Sequence, residues 1–224
     1  MYRYETHLHT YPVSRCAKVS PEEVVDYYLR IGYDGIFITN HFIDGNLSID
    51  RLAPYSEKIE YYFSDYEKAA AYGKKVGLKV FSGVEITNGG TDFLIYGLDK
   101  KWYLSHPEIA EMRKSAELKF LSDHGAFIIQ AHPFREAGYI DHIRLYPRLI
   151  HGTEVINANR TDFENRMAEI YAESYGLFRF AGSDNHTGAG QTRLAGMECA
   201  RPIKSEKDFI SAAKKGELRI FTTF

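Results

Sequence analysis

Short apolar runs alternate along the chain with longer stretches of helical periodicity. The runs around Tyr2–Glu5, Gly35–Thr39 (GIFIT), Leu78–Ser82 with Gly83-Val84, Phe93–Tyr96, Ala126–Gln130 (AFIIQ), Glu154–Ile156 and Leu177–Ala181 predict strands. SPEEVVDYYLRIGY predicts a helix, with Ser20 and Glu23 at capping-box spacing and Pro21 in the first turn. A long helix is expected over Tyr55–Val76, closed by Gly77. The Ser105 to Glu108 spacing repeats the capping box and predicts a helix running to His124-Gly125; another spans Asp162–Tyr175. The C-terminal part predicts a strand near Gly196–Ala200, a Ser205-capped helix and a short strand at Leu218–Phe221. Strands alternating with helices imply parallel pairing and an α/β class. Without a repeat, a low-complexity tract or a linker, the expectation is a single domain over 1–224.

Composition narrows the class. With 44% hydrophobic and 26% charged residues the chain is an ordinary globular one, not a disordered or fibrous one. Lys+Arg 28 against Asp+Glu 30 gives a net charge of −2, which argues against nucleic acid as a general partner. Two cysteines, Cys16 and Cys199, make no disulfide framework, so a cytoplasmic location is expected. No apolar run suits a signal core or a membrane span.

The nine histidines are more telling, because five follow strands. His7 and His9 follow the first strand, His41 the GIFIT run, His132 the AFIIQ run, and His186 the FRFAG run within Ser183-Asp184-Asn185-His186. Glu85 ends the LKVFSGV run. In a parallel barrel all C-terminal strand ends meet at one mouth, so these residues would share a pocket. His7 and His9, two apart on an extended segment, point to one side and can share an ion. Glu85 and Asp184 add oxygen donors, and one carboxylate can bridge two ions. Imidazoles with a few carboxylates suit Zn²⁺, Mn²⁺ or Fe²⁺ better than Ca²⁺ or Mg²⁺. His106, His124, His142 and His151 lie in capping or irregular surroundings and are expected to stand outside the site.

In these residues the chain resembles the PHP (polymerase and histidinol phosphatase) family of metal-dependent phosphoesterases. THLHT at 6–10, ITNH at 38–41, GVEI at 83–86, QAHPFR at 130–135, TEVINAN at 153–159 and AGSDNH at 181–186 carry the likeness over nearly the whole chain. The resemblance implies a distorted (β/α)7, TIM-like barrel with a two- or three-metal site at the C-terminal ends of the strands. Carried over by position, His7 and His9 hold one ion with Asp184 and the bridging Glu85. His132 joins Glu85 on a second ion, and His41 and His186 fall at a third. The chain departs from the family pattern in three places. The loop after His9 has Ser14-Arg15-Cys16 where an Asp or His is common, Asn40 replaces an Asp, and GGTDFLIYGLD has Asp92 where a further His is frequent.

The implied activity is hydrolysis of a small phosphomonoester by metal-activated water, with two to three divalent ions (Zn, Mn or Fe). His41, His186 and Asp184 are the candidate catalytic residues. Arg15, Arg135 and Asn157 are candidates for holding the substrate, the arginines because a guanidinium binds phosphate in a bidentate way. The segments Phe42–Tyr55 and Phe134–Arg148 are expected to shape the pocket. Competing readings are a nuclease or nucleotide-end phosphatase, an amidohydrolase-type C–N hydrolase, and a non-catalytic scaffold. Oligomeric state is left open.

Overall fold

The apolar runs become the strands of one sheet. The computed structural model describes residues 1–224. It contains β1 (Tyr2–Leu8), α1 (Pro21–Arg30), β2 (Gly35–Ile38), α2 (Tyr55–Val76), β3 (Lys79–Asn88), β4 (Thr91–Tyr96) and α3 (Lys100–Leu104). These are followed by α4 (Lys114–Asp123), β5 (Phe127–Ala131), β6 (Gly152–Asn157), α5 (Asp162–Tyr175), β7 (Phe178–Gly182), β8 (Ala195–Cys199), α6 (Glu206–Lys214) and β9 (Leu218–Thr222). The strand order is β7-β6-β5-β4-β3-β2-β1-β8-β9. Ser20 and Glu23 cap α1 reciprocally as expected, and Gly77 closes α2 in the left-handed region at φ 96°.

Strands β1 to β7 curl into a nearly closed barrel. At the seam β7 returns to β1: Leu8 bridges Asn185, His9 N donates to Asn185 O at 2.9 Å, and Asn185 N donates to His7 O at 3.2 Å. The first half of β1 pairs with β8 instead, Tyr2 against Cys199 and Tyr4 against Met197, so that edge is not available to β7.

Two expectations need correction. Pairing is not parallel throughout. β4 runs antiparallel to both β3 and β5, and β8 runs antiparallel to β1 and β9. Only Gly89-Gly90 separates β3 from β4, which permits a hairpin and no crossover. The helix expected from Ser105 also divides. Asp99 caps α3, accepting from Trp102 N, and Ser105 ends that helix with its hydroxyl donating to Lys101 O. A short 3₁₀ turn at Pro107–Glu111 follows, and α4 starts afresh at Lys114.

The lower barrel is filled by Tyr4, Phe37, Phe81, Tyr96, Phe127 and Phe180, with Phe209 of α6 packed among them. The Phe209 ring lies 4.6 Å from Phe37 and 5.7 Å from Phe180, centroid to centroid. A register shift in β1 between Glu5 and Leu8 then changes which residues face inward. Below it Tyr4 belongs to the interior cluster; above it His7 and His9 face the mouth while Leu8 packs outside with α1. Buried Glu5 holds this bulge: one carboxylate oxygen accepts from the backbone N–H of Thr6, His7 and Ser183, and the other from Tyr28 Oη.

Candidate metal centre

All seven residues expected to bind metal meet at the C-terminal mouth. His7, His9 and Asp184 form one group, His7, Glu85 and His132 a second, and His9, His41 and His186 a third, with the donor atoms of each group within 4.8 Å of one another. His7 Nε2 lies 3.1 Å from Glu85 Oε1 and 3.5 Å from Asp184 Oδ1. His9 Nε2 lies 3.4 Å from Asp184 Oδ1 and 3.5 Å from Glu85 Oε2. His132 Nε2 stands 3.6 Å from Glu85 Oε1, and His41 Nδ1 stands 2.6 Å from Glu85 Oε2. Glu85 therefore touches His7, His9, His41 and His132, which is the placement a bridging carboxylate needs. His132 and Asp184 are the only non-glycine residues with positive φ, at 25° and 52°. Such backbone strain at two donors persists because their surroundings hold it.

The rings are oriented from behind. His7 Nδ1 donates to Glu154 Oε1 at 2.9 Å, which leaves Nε2 with its lone pair toward the cleft. Glu154 Oε2 also accepts from His132 N and from Asn157 Nδ2, so one carboxylate sets a ring and a second donor's backbone. Gly182 makes room for this: a Cβ there would fall 2.6 Å from both Glu154 Oε1 and His7 Cβ. For His9 the chain is Ser14 and Asn40. Ser14 Oγ donates its one proton to Asn40 Oδ1, so it must accept from His9 Nδ1–H, and His9 Nε2 is again free. Asn40 is fixed in turn by Thr10 N and Thr10 Oγ1. The Tyr62 hydroxyl of α2 reaches both Asn40 O and Gly83 O, tying the ends of β2 and β3.

Charge is shared tightly. Burial favours neutral Glu85, yet His41, His7 and His9 outweigh it and hold the carboxyl well below the usual range. Asp184 is held low against burial by His7, His9 and His186. His7 is raised despite burial, chiefly by Glu154 and Asp184, and His41 despite burial, chiefly by Glu85. His186 is raised despite burial by Cys16 and Asp184. His9 goes the other way: burial and the neighbouring His186 and His41 push it well down, keeping it a neutral donor. Burial would push the Cys16 thiol up, but hydrogen bonds with His186 and His41 bring it to about 6.

The mouth opens as a cleft of about 410 Å³ whose walls include Cys16, His41, Glu85, Asp92, His132, Arg135, Tyr139, Asp184 and His186. Both expected loop segments contribute, the first through Asp44, Gly45 and Asn46, the second through Arg135 and Tyr139. The three residues expected to hold substrate separate here. Arg135 reaches the cleft, paired with Asp92 at 3.1 Å, with its Nε unbonded. Arg15 is exposed and does not line the cleft, its guanidinium lying toward Leu47 O. Asn157 lies fully buried behind Glu154, its Nδ2 donating to Glu154 Oε2. Asp92, 3.7 Å from His132 Nε2, spends its charge on Arg135. His106, His124, His142 and His151 lie outside the cleft.

Glu154 and Glu5 were not read as functional from the sequence. Each is a lone carboxylate inside an apolar strand run, and a charge so buried requires partners; that is the signal by which they were readable.

A family model described as PHP-associated matches residues 162–218, the segment that contains Asp184 and His186. No curated protein matches the chain. A two-domain protein from Bacteroides vulgatus, containing a predicted PHP-like metal-dependent phosphoesterase, superposes with a TM-score of 0.73 at 17% identity, over 98% of this chain and 64% of that one. The two chains share a fold. This chain spans less than two thirds of the Bacteroides protein. A predicted metal-dependent phosphoesterase from Bifidobacterium adolescentis superposes at a TM-score of 0.58 and 11% identity, over 94% of this chain and 95% of that one. An amidohydrolase from Chromobacterium violaceum with bound sulfate also matches, at 0.58 and 15%, over 97% of each chain. At such identities the likeness concerns the fold.

Proposed function

We propose that this chain is a metal-dependent phosphoesterase of the PHP type, acting as a phosphatase on a small phosphomonoester. The observation that carries the reading is the trio of donor groups that share His7 and His9 and bring in Glu85 and Asp184, at the floor of an open cleft. The donor set, five imidazoles with two carboxylates, fits two to three ions of Zn, Mn or Fe. Bound there, the ions would make water nucleophilic near neutral pH and neutralise charge gathering on the phosphoryl oxygens.

The chain's own residues supply the rest. Arg135 on the wall, its guanidinium set by Asp92 and Gly90 O, is placed to hold a phosphoryl oxygen. His41 and His186 lie at the solvent side of the cluster, 14% and 22% exposed at the side chain, where whichever ring is not holding an ion can give a proton to the leaving oxygen. Asp184, between His7, His9 and His186, keeps these rings in place. Only two of the fourteen lining residues are hydrophobic, which favours a small, charged substrate. The cleft's volume and the chain's net charge of −2 speak against nucleic acid.

We read the chain as one catalytic domain over 1–224. No helix is long and apolar enough to cross a membrane, and two free cysteines suit the reducing cytoplasm. The test is Asp184→Ala and His9→Ala, assayed for bound metal and for phosphate release from a panel of phosphomonoesters with Mn²⁺ or Zn²⁺. Unchanged metal content and turnover overturn the proposal. The Chromobacterium neighbour supports a second reading, C–N hydrolysis. The bridging place here is taken by Glu85, not the lysine often found in amidohydrolases, and amide substrates in the same assay decide the matter.

A further inference from the structure

One wall of the cleft carries a sulfur atom that the reading above leaves unused. Cys16 follows β1 and lines the cleft together with His41 and His186. Those two rings and His9 already bring their donor atoms within 4.8 Å of one another. His9 stacks on His186 at 4.2 Å and faces His41 at 4.4 Å, centroid to centroid. Beside them Glu85 Oε2 is buried without a hydrogen-bond partner in a residue only 1% exposed. His41 Nδ1 stands 2.6 Å away and is also without a hydrogen bond. Donor atoms crowded together in a buried site with no hydrogen bond to settle them mark a place prepared for a cation.

The loop that presents Cys16 is tied on both sides to the segments bearing its partners. Arg15 N donates to Asn46 O, five residues beyond His41, and Lys18 N donates to His186 O at 2.8 Å. Ser14 pairs with Leu47, and its hydroxyl accepts from His41 N. Backbone bonds thus hold the Cys16 loop beside the segments that carry both rings.

We infer that Cys16 is a metal ligand, its thiolate joining His41 and His186 in a sulfur and nitrogen position that takes a thiophilic divalent ion. The neighbouring positions, built from His7, His9, Glu85, His132 and Asp184, present nitrogen and oxygen. One cleft therefore holds two kinds of position. Zn²⁺ and Co²⁺ occupy both, whereas Mn²⁺, which binds sulfur weakly, fills the nitrogen and oxygen positions and leaves the other poorly filled. On binding, the thiol proton passes to solvent and the sulfur bonds the ion as thiolate. The residue that looks like a lost ligand in the sequence is on this view a replacement that changes metal preference. The inference rests on the metal-centre reading and is independent of the substrate being a phosphoester.

The experiment uses the full chain loaded with Co²⁺, followed by absorption spectroscopy and metal analysis. A thiolate-to-cobalt charge-transfer band is expected in the near ultraviolet, lost in Cys16→Ser and retained in Cys199→Ser, since Cys199 is buried away from the cleft. Zn²⁺ content should fall by one ion per chain in Cys16→Ser, with Mn²⁺ content unchanged. Maleimide labelling of wild-type Cys16 should be blocked by Zn²⁺ and restored by a chelator. Stoichiometric Co²⁺ without the band in the wild-type chain overturns the role of Cys16 alone, as does an unchanged Zn²⁺ content in Cys16→Ser. Failure to bind Co²⁺ or Zn²⁺ at all overturns the metal-centre reading and this inference with it. If Cys16→Ser does not fold, the wild-type and Cys199→Ser spectra still decide.

Discussion

The two ends of the barrel solve opposite problems with the same strands. At the base, aromatic rings from β1, β2, β3, β4, β5 and β7 close around Phe209, and the interior is apolar and close-packed. At the mouth those strands, or the residues just beyond them, deliver buried imidazoles and carboxylates that cannot satisfy one another fully. The contrast teaches where stability and chemistry reside. Burial of apolar surface at the base offsets the cost of crowding polar groups at the top. The two strained backbones, His132 and Asp184, belong to the mouth alone.

The comparison breaks or sharpens with five measurements. The largest effect is expected from Asp184→Ala, which removes an oxygen donor from among His7, His9 and His186. Bound metal should be lost, and turnover should drop by about a hundredfold or more, on the scale of removing a transition-state donor. Its counterpart at the base is Phe209→Ala, which should cost about 3–5 kcal/mol. A calorimetric scan should then show a lower Tm, while metal affinity in the folded protein stays near that of the wild type. If this variant loses metal without losing stability, the two ends are not separable.

Glu154→Gln probes the layer between them. The amide keeps the shape but not the charge that holds His7 Nδ1–H, so metal affinity should weaken about 10- to 100-fold, measured by competition with a chromophoric chelator. Proton linkage gives a further check. His7, His41 and His186 all hold their protons more tightly than free imidazole, and ligation requires the neutral ring. As pH falls, protons compete with the ion, so metal affinity should decline toward acid pH and binding should release protons. Calorimetry in buffers of different ionisation enthalpy reads that release; binding without it contradicts the assignment. The smallest effect separates the arginines. Arg135→Ala should raise KM for a phosphomonoester, whereas Arg15→Ala, exposed and outside the cleft, should leave it unchanged.

Much of the mouth was legible because metal-donor residues recur just after apolar runs. A strand of roughly known end puts the next residue at the rim, whatever the details of pairing. His7, His9, His41, Glu85, His132, Asp184 and His186 were found in that way. Glu154 escaped because its role depends on which strand stands opposite: it is a carboxylate on β6 whose partner, His7, lies on β1. Where Arg15 and Asn157 stand depends on packing in the same way. An arginine in the first loop and an asparagine after a strand both look available to substrate, and only the packed loop shows that one faces out and the other stands behind Glu154.

Local patterns determined the class of this protein by themselves: α1, α2 and α5 where periodicity and caps placed them, the run of strands, and the set of seven donors. Those depend on contacts between residues near in sequence. The antiparallel β4, the break between α3 and α4, the bulge that turns His7 and His9 into the mouth, and the meeting of Cys16 with His41 and His186 were decided only by tertiary structure. Each arises from partners far apart along the chain, chiefly the closure of β7 onto β1 and the buried Glu5 that holds the bulge there. No local preference encodes which of two faces a strand must present until that closure is made.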